Sequence, residues 1–236
     1  MQPTTMRGAA FKSATHDPDD AGASLVTEVL EALLEADETA TVLSAAQLVE
    51  RIPAPDAEVE AAIGLLVAQD VAMLAPDGVK LSAEGRKQAV TAVRQHRLTE
   101  RLLADVIGLE WWKVHHEAER WEGVLSEEVE QRLVEVLGDP GTCPHGNPIP
   151  GSANRPTHPD AVLLADAPLG PVHIVRITEW LEADDEALQL LQACGFVPGR
   201  DAEIIARQHG WVEVAGTIHD AALPPHVAVN TYVAPR

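Results

Sequence analysis

Residues 44–81 read SAAQLVERIPAPDAEVEAAIGLLVAQDVAMLAPDGVKL, and this stretch decides the fold of the front of the chain. Ser44 with Gln47 three residues on is a capping-box pattern. It opens a helix through Leu48 and Val49 to about Arg51, where Pro53 and Pro55 break the chain. Asp56 is placed to cap the next helix, whose apolar positions are Val59, Ile63, Leu66 and Val67. Val71–Leu74 and Val79–Leu81, separated by Pro76-Asp77-Gly78, read as a small β-hairpin. Just upstream, Ser24 caps a helix to Ala36 with Leu25, Val26, Val29, Leu30, Leu33 and Leu34 on one stripe. Three short helices followed by a hairpin are the plan of a winged helix-turn-helix.

Outward from that unit, residues 1–23 read as a flexible tail with no apolar core of signal-peptide type. Downstream, a long helix runs from Ser82 to Ile107, where Gly108 ends it; a further helix spans about Trp112 to Val124, and Ser126 caps another from Glu127 to Leu137. This amphipathic segment, rich in leucine and carrying Trp111, Trp112 and Trp121, is too small to close its own core, so a homodimer with an interface of roughly 1,200 Å² or more is expected. Gly138 to Pro159 is rich in proline and glycine and reads as an ordered turn followed by a linker. Short strands then follow at Val172–Ile177, Ala202–Ala206, Trp211–Ala215 and Val227–Tyr232, with a helix at about Asp185–Cys194 between them, the texture of a small β-barrel. The fold class is mainly α with a small β part: a tail (1–23), a winged helix-turn-helix (24–81), a helical dimerisation domain (82–150), a linker (151–160) and a small β-barrel (161–236).

Seventeen basic against 37 acidic residues give a net charge of −20, so a broad electrostatic grip on nucleic acid or an anionic membrane is disfavoured. No apolar run reaches the eighteen residues that suggest a membrane span, and a cytoplasmic chain is expected. Cys143 and Cys194 lie in no C-x-x-C pair. The G-x-S-x-G elbow, the P-loop, G-x-G-x-x-G and H-E-x-x-H are all missing, and His115-His116-Glu117 is only a partial echo of the last. The chain is read as a non-enzyme without a small organic substrate.

The stretches Arg94-Gln-His-Arg-Leu-Thr-Glu-Arg-Leu-Leu103, Ile107-Gly-Leu-Glu-Trp111, Val114-His-His-Glu-Ala118, Arg120-Trp-Glu122, Leu125-Ser-Glu-Glu-Val129 and Gly146-Asn-Pro-Ile-Pro-Gly151 resemble the diphtheria toxin repressor family of metal-dependent transcriptional regulators. Pro168-Leu-Gly170 and Gly195-Phe-Val-Pro-Gly199 look like motifs of the family's C-terminal FeoA-type barrel, so the resemblance implies that 82–150 is a dimerisation and metal-binding domain and 161–236 an SH3-like β-barrel. The resemblance implies a metal-sensing homodimeric regulator that binds promoter double-stranded DNA.

His96 and Glu100 are i, i+4 on one helix face, as are His115 and Glu119; Glu122 is i+3 from Glu119, and Glu28 and Glu31 are i, i+3 on the first helix. Imidazole and carboxylate at these spacings can close on a divalent first-row ion. The resemblance assigns His96, Glu100 and His115 to one site and Glu28, Glu119 and Glu122 to the other, with Glu31 beside Glu28. It also implies barrel ligands around Glu182, Asp184, Asp185 and Glu186, of which Glu182 and Glu186 are taken as the ligands. Hard oxygen ligands at Glu28, Glu31 and Glu119 favour Mn²⁺, with Fe²⁺ as the alternative. Where the family carries a histidine after the glutamate matching Glu122, this chain has Gly123, which leaves that site short of a ligand or passes the role to His116, His115 or water. Cys143 and His145, two apart in a Pro/Gly turn, are read as structural.

The expected DNA-reading helix argues in the other direction. Its outward residues are Asp56, Glu58, Glu60, Ala61 and Ala62, and no Lys or Arg lies between Arg51 and Lys80. Carboxylates repel phosphates, and cytosine N4–H₂ is their one good base contact. DNA contacts are assigned to Glu58, Glu60, Ala61 and Lys80 at the wing, with Arg7, Lys12, Arg86 and Lys87 as further cations. The alternative is a family member that binds metal or a protein partner without ordinary operator binding.

Overall fold

The computed structural model describes residues 18–38, 41–52, 54–121 and 123–236, with side chains from residue 25 onward. Arg7, Lys12 and Glu122 therefore lie outside the described residues. Helix α1 spans Pro18–Glu38, so Ser24 is interior to it rather than its expected N-cap. Proline tolerates a helix start because the N–H it lacks would have no intrahelical partner there. Val29, Leu30, Leu33 and Leu34 of α1 are buried in a core shared with α3 (Asp56–Ala68) and α4 (Ala83–Arg101).

Helix α2 (Ala45–Arg51) carries the capping box: the Gln47 N–H donates to Ser44 Oγ at 3.2 Å, and the Ser44 N–H donates to Gln47 Oε1 at 2.9 Å. Helix α3 starts at Asp56 itself, with Pro55 as the capping residue, so Asp56 is the first helical residue and not the cap. Val59, Ile63 and Leu66 face inward as expected. Ala62 joins them, which corrects its expected exposure: it is i+3 from Val59 on the buried face. Strands β1 (Ala72–Ala75) and β2 (Gly78–Leu81) form the antiparallel hairpin, and the Val79 N–H reaches back to Leu43 O at 2.8 Å.

The Ser82 hydroxyl caps α4 by accepting from the Gly85 N–H. The helix ends at Arg101 and widens into a π-helical turn, Leu102–Ile107, which stops at Gly108 in the left-handed region. A 3₁₀ turn, Trp111–Lys113, leads into α5, Val114–Glu119. The helix expected from Trp112 to Val124 is therefore much shorter. Gly123 lies outside it at φ 69°, and a Cβ there would meet nothing within 4 Å, so glycine serves the backbone conformation rather than a close contact. Helix α6 (Glu127–Leu137) follows as expected, capped by Ser126 and ended by left-handed Gly138.

The C-terminal unit contains β3 (Val162–Leu163), β4 (Gly170–Ile177), α7 (Glu179–Glu182), α8 (Asp185–Cys194), β5 (Asp201–Gln208), β6 (Trp211–Ala215), β7 (Asp220–Leu223), α9 (Pro225–Ala228) and β8 (Thr231–Pro235). The strands form one antiparallel sheet in the order β3-β8-β4-β5-β6-β7, with bulges in β4 and β5. The expected strand Val227–Tyr232 is corrected: Pro224 and Pro225 start a helical turn, and the strand begins only at Thr231. Val172, Ile174, Leu188, Leu191, Phe196 and Val214 belong to a second core.

The two cores are joined through the segment after β4. Trp180 packs on the N-terminal core. Arg176 donates to Glu35 of α1 at 3.0 Å and stacks over Tyr232 at 4.2 Å, while the Arg51 guanidinium sits 5.3 Å from the Trp180 ring. Glu182 therefore lies on the same short helix, α7, whose Trp180 packs on the N-terminal core.

Candidate metal centre

Three arginines on α4 at i, i+3 and i+7 grip the Pro/Gly turn. Arg94 donates to Pro150 O at 2.5 Å, Arg97 to Pro148 O, and Arg101 to Thr142 O at 2.6 Å and Cys143 O at 3.1 Å. The turn closes on itself, with the Cys143 N–H donating to Asn147 O at 2.8 Å and the Gly146 N–H to Cys143 O at 3.0 Å. A Cβ at Gly146 would lie 2.2 Å from Val175 O, so only glycine lets the turn lie against β4. Asn147 bridges onward, donating to Ile177 O at 2.9 Å and to Glu182 Oε1 at 2.6 Å.

This scaffold places Cys143 and His145 against Glu100 of α4 and Glu182 of α7. All four are buried, and donor atoms of the four lie within 4.8 Å of one another. His145 Nδ1 is 3.0 Å from Glu100 Oε1 and 2.9 Å from Glu182 Oε2; its other nitrogen, Nε2, is 3.3 Å from Trp111 O. A carbonyl can only accept, so Nε2 carries a hydrogen and Nδ1 turns toward two carboxylates. That arrangement requires a cation at Nδ1, either a proton or a metal ion. Glu100 Oε2 and Glu182 Oε2 are buried, and neither makes a hydrogen bond of good geometry, close though Glu182 Oε2 is to the His145 ring. The donor set, with two acidic oxygens to spare, fits a divalent ion, and the His145–carbonyl contact is the supporting bond that metal-bound imidazoles ordinarily make.

The expected histidines lie beside it. His96 Nε2 is 3.2 Å from His115 Nδ1 and 3.6 Å from Glu100 Oε1, and His115 Nδ1 is 3.3 Å from Glu182 Oε2. On their far sides His96 Nδ1 lies 3.8 Å from Glu31 Oε1, and His115 Nε2 lies 3.3 Å from Glu119 Oε1. A cavity of about 50 Å³ separates α1 from α5 and α7, walled by Glu28, Glu31, Glu35, His115, Glu119 and Glu179. This space exceeds what one water needs. The two ligand sets separated in the sequence reading are thus contiguous here, with His96 and His115 between them. Glu122 falls outside the described residues. Glu186 is exposed on the first turn of α8 and belongs to none of the ligand groups among the described residues; Asp185 instead lies 3.3 Å from His116 Nε2.

The protonation pattern follows from this crowding. Burial opposes charge on Glu100, but the His145, His115 and His96 rings overcome it and hold the carboxyl well below its ordinary value. Burial opposes charge on His145 as well, yet Glu182 and Glu100 push it up to about 10. His115 is likewise raised, by Glu100, Glu119 and Glu182 against the desolvation cost. Burial and the nearby Glu100 and Glu182 carboxylates keep the Cys143 thiol protonated, well above its usual range. Metal ligation needs neutral imidazole and thiolate, so an ion entering here displaces protons.

In the winged unit, α3 exposes Asp56, Glu58, Glu60 and Ala61. The cations assigned to this face that the structure describes are already paired: Lys80 with Asp77 at 2.6 Å, Lys87 with Glu84 at 3.0 Å, and Arg86 with Asp37.

A winged helix-turn-helix followed by helices, a Pro/Gly turn and a small barrel, with a buried carboxylate–imidazole–thiol cluster where the last three meet, defines the class of metal-dependent regulators. The comparisons agree. A family model described as "Iron dependent repressor, metal binding and dimerisation domain" matches residues 82–151. The chain is 39% identical over 188 residues to a diphtheria toxin repressor of Corynebacterium efficiens, covering 76% of this chain and 82% of that one. It is 39% identical over 182 residues to the iron-dependent repressor IdeR of Mycobacterium leprae, covering 69% and 79%. A solved manganese-dependent transcriptional repressor in complex with manganese superposes with a TM-score of 0.75 at 28% identity, covering 89% of this chain and all of that one. The chain belongs to the diphtheria toxin repressor family, and it is a metal-dependent transcriptional regulator rather than an enzyme.

Proposed function

We propose that the chain is a homodimeric, DNA-binding sensor of Mn²⁺ with two adjoining metal sites. The inner site consists of Glu100, Cys143, His145 and Glu182. The outer consists of Glu28, Glu31, His96, Glu119 and Glu122, with His115 between the two. The observation that carries this reading is the contribution of one buried ligand cluster by α4, the 143–147 turn and α7, beside an acid-walled cavity against α1. A bound divalent ion would supply positive charge among carboxylates that otherwise repel one another. Glu28 and Glu31 sit on the helix that packs against α3. Their attraction to the α4–α5 side therefore biases the position of the DNA-reading head, a shift of population toward one arrangement.

The division into a DNA-reading unit at 24–81, a dimerisation unit at 82–150 and a barrel at 161–236 belongs to the same proposal. Val106, Ile107, Val124, Val129 and Val136 are exposed on or beside the middle helices, which supports a partner chain there. Fe²⁺ is the second reading, and Cys143 favours it, because a thiolate suits softer ions than an all-oxygen set does. Retention of promoter DNA binding is proposed despite the acidic face of α3; the paired state of Lys80, Arg86 and Lys87 favours weak phosphate contact.

Calorimetric titration of the full chain with Mn²⁺, and with Fe²⁺ in the absence of oxygen, tests the sites. His96→Ala/His115→Ala and His145→Ala are each expected to lose at least one bound equivalent. Unchanged stoichiometry in both would overturn the assignment. A monomeric mass by light scattering at micromolar concentration with Mn²⁺ present would overturn the dimer.

A further inference from the structure

Glu119 faces two adjacent imidazoles on its two oxygens. His115 Nε2 is 3.3 Å from Oε1, and His116 Nδ1 is 3.0 Å from Oε2. These three residues form a ligand group of their own, with donor atoms within 4.8 Å of one another. Unlike the buried cluster, this group reaches solvent: the His116 side chain is 41% exposed, whereas Glu100 and His145 are fully buried. Behind His116, the barrel supplies Asp185, whose Oδ1 lies 3.3 Å from Nε2. That oxygen is shielded from water and makes no hydrogen bond of good geometry, so it has acceptor capacity aimed at the ring. A carboxylate accepting from one imidazole nitrogen directs the other nitrogen's lone pair outward as a ligand. Here that nitrogen is Nδ1, and it is turned to Glu119.

The ligand atoms continue inward without a gap. From Glu119 the path runs to His115, whose opposite nitrogen faces Glu182 at 3.3 Å and Glu100 at 3.6 Å, and from there to His145 and Cys143. An ion bound for the buried cluster must shed water stepwise, and a row of partly exposed, then buried ligands replaces that water one donor at a time.

We propose that His116, Glu119 and His115, with Asp185 orienting His116, form a third, solvent-facing divalent-cation site through which ions are captured and passed to the buried centre. This extends the two-site reading above and rests on it for the destination of the ion, but not for the existence of the third site.

The test uses the full-length protein and Co²⁺, whose visible bands report coordination and whose thiolate charge-transfer absorption reports arrival at Cys143. His116→Ala is expected to lose one weakly bound equivalent and to slow appearance of the thiolate band by about tenfold or more in stopped-flow mixing, the scale on which local charge governs capture. The equilibrium affinity of the thiolate-containing centre should stay within about twofold, because His116 is not among the ligands of that centre. Asp185→Asn is expected to weaken the same equivalent by about tenfold, the usual effect of removing a supporting carboxylate. An unchanged stoichiometry together with an unchanged loading rate in His116→Ala would overturn the proposal. His145→Ala separates the two readings: if it leaves the thiolate band intact, the buried-site assignment fails, while the equivalent lost in His116→Ala still decides the outer one.

Discussion

Replacing Arg97 by alanine removes the side chain that ties α4 to both the Pro/Gly turn and α7 of the C-terminal unit. Arg97 is 1% exposed. It donates to Glu179 Oε1 from Nε at 2.9 Å and from Nη2 at 2.6 Å, and to Pro148 O from Nη1. Burial works against charge on Glu179, and Arg97 is the first influence that reverses it and keeps the carboxyl below its ordinary value. Glu179 Oε2 already makes no hydrogen bond, so Arg97→Ala leaves a buried carboxylate without its main counter-charge. Breaking a buried pair from one side costs about 3–5 kcal/mol. In a chain of this length each kcal/mol moves the midpoint by about 2–4 °C, so the melting temperature should fall by roughly 6–20 °C. Arg97→Lys keeps the charge but loses the two-pronged contact, and a smaller fall is expected. The assay is a circular-dichroism melt in metal-free buffer, with urea unfolding as the check on the energy. A midpoint for Arg97→Ala within about 2 °C of wild type would refute the reasoning, because that shift corresponds to at most about 1 kcal/mol.

Further outcomes follow from other parts of the molecule. Gly123→His should cost about 1 kcal/mol in urea unfolding, because φ 69° is a left-handed conformation that side chains resist even where space is open. Burial, then Glu179 beside it, pushes the Glu35 carboxyl up to about 7 from 4.5 against the pull of Arg176. Its stabilising contribution is therefore complete below its ordinary value and lost as pH rises through 7. The unfolding free energy of the metal-free protein should carry a component of order 2–3 kcal/mol that declines between about pH 5 and 8 and is removed in Glu35→Gln. Glu58→Gln/Glu60→Ser should raise non-specific DNA affinity while leaving metal stoichiometry unchanged. The wild-type slope of log K against log salt should be shallow, because each neutralised phosphate contributes only about −0.9; a steep slope would mean that cations outside α3 make the contacts.

The elements that carry strong local signals are legible in the sequence. Ser44 with Gln47, Ser82, Ser126 and the Pro76-Asp77-Gly78 turn each specify a boundary through side-chain hydrogen bonds or restricted backbone angles, and each is where expected. Signals that depend on tertiary context mislead. The apolar run at Val227–Tyr232 looks like a strand, but two prolines before it set a helical turn first. Gly123 looks like a costly interior helix residue, whereas α5 has already ended. The pairing of His96 with Glu100 and of His115 with Glu119 can be read from helical spacing. The participation of Cys143 and His145 cannot, because it depends on a turn folding back across more than forty residues onto α4. What holds the turn there is visible only in the fold: Arg94, Arg97 and Arg101, on one face of α4, reach its carbonyls.

Anomalous diffraction from crystals grown with Mn²⁺ would test the two-site centre most directly. One peak is expected within bonding distance of Glu100, Cys143, His145 and Glu182, and a second between α1 and the α4–α5 side, against Glu31, His96 and Glu119. Peaks confined to surface carboxylates, with none at the buried cluster in a crystal that diffracts well enough to show its side chains, would contradict the assignment of the centre.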